Sequence, residues 1–131
     1  MGRRESRERL FSIVFEMSFK ESEELSAVIE RHEEEGCDEP YVKDGALGIF
    51  ENIGYIDEKI SEFAKQWKIE RLSKVSLSVM RVAAYEMLYI TDIPAKVSIN
   101  EAVELAKKFD DDKSYSFVNG VLNALAAEAE N

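Results

Sequence analysis

The chain contains one cysteine, Cys37, one histidine, His32, and one tryptophan, Trp67. A lone cysteine makes no internal disulfide and no zinc site of several thiolates, and such usage fits a reducing, cytoplasmic setting. One histidine and one cysteine without supporting motifs do not make a persuasive nucleophilic site. There is no glycine-rich phosphate loop, no HExxH and no Gly-x-Ser-x-Gly. Asp110-Asp111-Asp112 lacks the ligand spacing of a calcium loop. The sequence therefore points away from an enzyme, and it implies no metal or cofactor. No uncharged apolar run is long enough to span a bilayer. The charged start Met1-Gly2-Arg3-Arg4 is not followed by the apolar segment of a secretory signal.

Helix breakers are also scarce, with two prolines (Pro40 and Pro94) and six glycines. Period-two alternation is missing, so strands are not expected. What is present is a chain of 131 residues rich in Glu, Lys, Ala, Leu and Met. That composition suits an all-α protein, read here as a single domain over residues 1–131. Basic residues are in deficit, 17 against 27 acids, for a net charge of −10. An acidic surface repels phosphates, which argues against a chain coated in nucleic acid. The deficit is uneven, however. Residues 1–9 hold four arginines against two glutamates, while Arg31 is the only Lys or Arg between residues 21 and 39. A local basic patch on an acidic body fits this pattern.

The chain is organised around a helix from Lys74 to Ile90 that is apolar nearly all round. Only Ser78, Arg81, Tyr85 and Tyr89 form a semi-polar stripe. A helix of that kind is a core helix with others wrapped about it, and Ser73 is its expected cap. After the break at Thr91-Asp92-Ile93-Pro94, Ser98 followed three residues on by Glu101 reads as a capping box. It opens a helix from Ile99 to Phe109, with Ile99, Ala102, Val103, Ala106 and Phe109 inward and Glu101, Glu104, Lys107 and Lys108 outward.

Before the central helix, the apolar spacing predicts helices over Arg3–Phe19, Lys20–Glu35, Tyr41–Ile53 and Ile56–Trp67. His32 lies within a run of acids and reads as solvent-exposed. Gly36 ends the second helix, Asp38 is a candidate cap and Gly54 marks a break. The last helix runs from Tyr115 to Ala129, straight through Asn119-Gly120, with Gly120 admitting close packing.

Four stretches are distinctive as motifs. They are Arg81–Glu86 (RVAAYE), Asp92-Ile93-Pro94, Val97–Lys107 (VSINEAVELAK) and Phe117–Leu122 (FVNGVL). With the arginine-rich start Arg3-Arg4-x-x-Arg7-Glu8, they resemble the NusB family of transcription antitermination factors. The resemblance implies a compact fold of about seven helices in two packed helical subdomains. It also implies a non-enzymatic factor that binds single-stranded boxA-type RNA together with NusE, a protein of the small ribosomal subunit. The assembly works within an RNA polymerase antitermination complex during ribosomal RNA transcription.

By the same resemblance Arg3, Arg4 and Arg7 supply phosphate contacts, a task suited to the permanently charged guanidinium. Lys107, Lys108 and Lys113 lie near the other part of the implied RNA surface. Phe117 either stacks on an unpaired base or belongs to the core. Phe15, Glu70 and Ser76 take the positions that face NusE. Phe15 stands where a tyrosine is frequent and lacks its hydroxyl; Ser76 stands where an acid is frequent. The rival expectation is a helical protein-interaction module that keeps the fold without RNA binding, motivated by the net charge and by Asp110–Asp112.

Overall fold

A computed structural model describes residues 2–19, 23–36, 39–65, 68–111 and 113–129. Among them are seven α-helices: α1 (Arg3–Met17), α2 (Leu25–Glu34), α3 (Pro40–Glu51), α4 (Ile53–Ala64), α5 (Lys74–Tyr89), α6 (Ala95–Phe109) and α7 (Ser114–Ala129). A short 3-10 turn, Ile69–Arg71, leads into α5. No strand occurs among the described residues. None of these helices is long and apolar enough to cross a membrane.

Helix α5 is the shared element. It packs against α1 and α3 in one helical group and against α4, α6 and α7 in the other, while α2 leans on α1. Its residues Val79, Met80, Val82, Ala83 and Ala84 are essentially removed from water. They join one continuous apolar cluster to which all seven helices contribute. Burying a Val or Met side chain contributes roughly 1.5–3 kcal/mol, so α5 supplies much of what holds the two groups together.

Local chemistry sets several helix ends. The Ser73 hydroxyl accepts from the Ser76 N–H at 2.9 Å, the expected cap of α5. Gly36 closes α2 with a φ of 95°, a conformation that costs a side-chain-bearing residue more than glycine. Pro40 starts α3, where its missing N–H is not needed. At Gly45 a Cβ would lie 2.6 Å from Cδ2 of Leu10. Leu10 is completely buried, so the absent side chain is what lets α3 and α1 approach.

Several expectations are corrected. Helix α6 starts at Ala95, directly after Pro94, so Ser98 and Glu101 lie inside it and form no capping box. The break between α3 and α4 falls at Asn52, whose Nδ2 donates to the Gly48 carbonyl at 2.8 Å; Gly54 lies within α4. Helix α7 does run through Asn119-Gly120, but open space surrounds Gly120, so no close packing depends on it. On α6, Leu105 is buried and Phe109 is 42% exposed. Cys37, Asp38 and Trp67 lie outside the described residues.

His32 is buried, with 3% of its surface exposed. Its Nδ1 lies 3.0 Å from Arg9 Nη1 and its Nε2 lies 3.2 Å from Glu16 Oε1. Arginine only donates, so Nδ1 is the acceptor and Nε2 carries the proton towards Glu16. The ring is a bridge that fastens α2 to α1.

Candidate nucleic-acid interface

The first turns of α1 are pinned to the rest of the fold by a buried carboxylate. Glu86, on α5, has no exposed surface. Arg7 Nε donates to its Oε2 at 2.8 Å and Arg7 Nη2 to its Oε1 at 3.1 Å. Ser98 Oγ donates to Oε1 at 2.7 Å, and the Tyr41 hydroxyl donates to Oε2. Helices α1, α3, α5 and α6 thus meet at one side chain. Burial, reinforced by the Glu86 charge, pushes the Tyr41 hydroxyl well above its usual range, so it stays a donor. Burial works against the charge on Arg7, but Glu86 outweighs it and raises the guanidinium above its ordinary value.

This anchor bears on the expected phosphate contact at Arg7. The residue is 4% exposed, and two of its nitrogens are committed to Glu86, so it does not reach a phosphate in this structure. Its Nη1 faces Glu101 Oε1 at 3.5 Å. The neighbouring arginines are accessible. Arg4 forms a two-bond pair with Glu101, 3.0 Å from Nε to Oε1 and 2.7 Å from Nη2 to Oε2. Arg3 lies over the Tyr41 ring with 4.6 Å between the guanidinium carbon and the ring centre.

Lysines of α6 complete the patch. Lys108 Nζ reaches both Glu8 oxygens, at 3.1 and 3.0 Å. Lys107 approaches Glu104 at 3.8 Å and sits 5.0 Å from the centre of the Tyr115 ring. Arg4, Arg7 and Lys108 line one cleft between α1 and α6, together with Glu8, Glu101 and Glu104. Among the described residues an acid therefore stands beside each of Arg4, Arg7, Lys107 and Lys108.

Lys113 and Phe117 lie apart from that cleft, in a second concavity lined also by Arg71, Ser73, Ser76 and Asp111. Lys113 is exposed and has no acidic partner among the described residues. Phe117 is half-buried against the core, with part of its ring facing this concavity. The second concavity thus holds members of both expected sets, since Ser76 lines it too.

The residues expected to face a protein partner are less uniform. Phe15 is half-buried, 5.9 Å from Phe11 and edge-on to Phe19 at 5.1 Å between ring centres. Phe19 is exposed, with Lys74 5.1 Å above its ring. Glu70 is exposed in the 3-10 turn. Ser76 is 4% exposed and donates to Asp110 Oδ2 at 2.8 Å, so its hydroxyl is already engaged. Asp110 also takes a hydrogen bond from Ser73 at 2.6 Å, which locks the start of α5 to the end of α6. No cluster of His, Cys, Asp and Glu suited to a metal occurs among the described residues.

Three carboxylates tie this framework to pH. Burial raises Glu16, but hydrogen bonds from Arg31 and His32 outweigh it and hold the group below 4.5. The Arg4 hydrogen bonds, against burial, do the same for Glu101. Burial raises Asp110, yet the Ser73 hydroxyl, the Asp111 N–H and the Ser76 hydroxyl together hold it below 3.8. A carboxylate depressed in the folded state stabilises it above the unfolded pKa, and that stability is lost as pH falls through the folded value. The urea midpoint is therefore expected to stay level between about pH 7 and pH 5 and to fall below about pH 4.5. A midpoint that rises on acidification through that range contradicts these assignments.

Sequence and structure comparisons agree with this architecture. A sequence profile of the NusB family matches residues 4–127. The transcription antitermination protein NusB of Clostridium acetobutylicum is 45% identical, covering 99% of this chain and 98% of that protein. That of Bacillus subtilis is 39% identical over the same shares of the two chains. Among solved structures, T. maritima NusB superposes with a TM-score of 0.89 at 37% identity, covering 98% of this chain and 92% of the other. A chain from the crystal structure of antitermination factors NusB and NusE in complex with dsRNA gives a TM-score of 0.84 at 24% identity, covering 96% of each, and bears on the fold alone. A match over nearly the full length in sequence, with the same helical fold, means that this chain belongs to the NusB family.

Proposed function

We propose that the chain is a transcription antitermination factor that binds single-stranded boxA-type RNA together with NusE. It acts within an RNA polymerase antitermination complex that supports ribosomal RNA transcription. It works in the cytoplasm as a non-enzymatic adaptor. The observation that carries this reading is full-length similarity to proteins named for antitermination, on a chain whose otherwise acidic surface gathers Arg3, Arg4, Lys107 and Lys108 along α1 and α6. Exposed guanidinium and ammonium groups hold a phosphate backbone without reading its sequence. Phe117 and the exposed Lys113 supply a second part of the surface, in the concavity they share, where an aromatic ring would stack on a splayed base. Phe15 and Glu70 form the NusE-facing part, and the buried Ser76 serves it as a support of Asp110.

The test is binding of a short boxA-like RNA across a salt series, with and without NusE. The expected result is salt-dependent binding that NusE strengthens and that a scrambled RNA loses. Binding of NusE with no binding of RNA in either condition replaces this reading by a protein-interaction module.

A further inference from the structure

Arg4 is an exposed cation with one of its two bidentate edges, Nε and Nη2, already filled. Its side chain is 77% accessible, yet Nε and Nη2 both donate to Glu101, one to each carboxylate oxygen. Arginine holds two oxygens of a phosphate in the same parallel arrangement. Glu101 is not a loose surface acid. Its side chain is 14% accessible, and its Oε1 also faces Arg7 Nη1, which Glu86 fixes in turn. The two partners hold each other charged: Glu101 raises Arg4, and Arg4 lowers Glu101.

We propose that Glu101 sets the affinity of the RNA surface by occupying, on Arg4, the seat that an RNA phosphate takes. Binding there exchanges one anion for another. The inference rests on Arg4 being a phosphate contact, as read above. Glu104 provides the contrast, because it acts on Arg4 only through space and approaches Lys107 at 3.8 Å. Removing Glu104 removes the same formal charge from the same cleft without vacating that edge of Arg4.

The experiment measures binding of a short boxA-like RNA at about 50 mM salt to wild type and to the Glu101→Gln, Glu104→Gln, Arg4→Ala and Arg4→Ala/Glu101→Gln variants. Thermal melts check the folding of each, and Glu101→Ala provides a second removal of the carboxylate. Glu101→Gln is expected to bind about three- to fivefold tighter, the scale of one exposed ion pair. Glu104→Gln should gain less, and the Glu101→Gln gain should vanish when Arg4 is alanine. An equal gain in the Arg4→Ala background, or from Glu104→Gln, reduces the effect to a general field and overturns the inference. So does a Glu101→Gln variant that binds as wild type or more weakly while Arg4→Ala still weakens binding. Failure of wild type to bind RNA, or an Arg4→Ala variant that binds like wild type, overturns the RNA surface itself and the inference with it.

Discussion

Replacing Glu86 by glutamine is expected to lower the unfolding free energy by about 3–5 kcal/mol, the scale seen when one partner of a buried ion pair is removed. The reason lies in the count of donors. Two nitrogens of Arg7 and the hydroxyls of Tyr41 and Ser98 all donate to this one carboxylate. An ionised carboxylate only accepts and serves all four; a carboxamide turns an NH2 group towards two of them and leaves the arginine charge buried without a counter-charge. For a domain of this size the loss corresponds to a fall in Tm of roughly 10–20 °C. Glu86→Leu combined with Arg7→Met, Tyr41→Phe and Ser98→Ala leaves no orphaned polar atom, and should recover most of the stability. A Glu86→Gln protein that melts like wild type would show that the four-helix junction does not carry this weight.

The junction also marks the limit of what the chain reveals when read locally. Helices with regular apolar spacing were legible as α1, α5 and α7, because 3.6-residue periodicity is written within each of them. Boundaries shifted where two local signals competed. Pro94 takes the N-cap position in extended conformation and α6 starts directly after it, before Ser98, so the supposed cap becomes an inward-facing donor to Glu86. His32 looked solvated among acids, yet it shares the inward face of α2 with Val28 and Ile29. Its partners, Glu16 and Arg9, lie 16 and 23 residues away.

The arginine cluster was legible as charge, but its division of labour was not. Glu86 is 79 residues from Arg7, and Glu101 is 97 from Arg4. Only the packing of α1 on α5 and α6 distinguishes the arginine that anchors from the arginine that is free to exchange partners. One sequence signal did exist for the anchor. Glu86 is a lone acid in a helix otherwise apolar nearly all round, and a buried acid requires a buried partner.

That division predicts how RNA binding will respond to mutation. Neutralising Arg3, Arg4 and Lys113 together should flatten the salt dependence, since each phosphate contact on a single strand contributes about 0.7 to the slope of log K against log salt. Three contacts amount to a slope change of about 2, so the gap between wild type and variant should narrow roughly twentyfold between about 50 and 200 mM salt. The variant's melting temperature should fall by only a few degrees, because all three side chains are exposed and the one ion pair lost, Arg4 with Glu101, is worth roughly 0–1 kcal/mol at the surface. Arg7→Ala should behave in the opposite way. It leaves Glu86 buried and unpaired, so it destabilises the fold by several kcal/mol. RNA affinity then falls because the first turn of α1 loses its attachment, while the salt slope set by Arg3, Arg4 and Lys113 persists in the molecules that remain folded. A triple variant with an unchanged slope, or an Arg7→Ala protein that melts normally and loses one contact from its slope, would reverse these roles. In the first case the phosphates lie on a different surface; in the second, Arg7 leaves Glu86 to meet RNA.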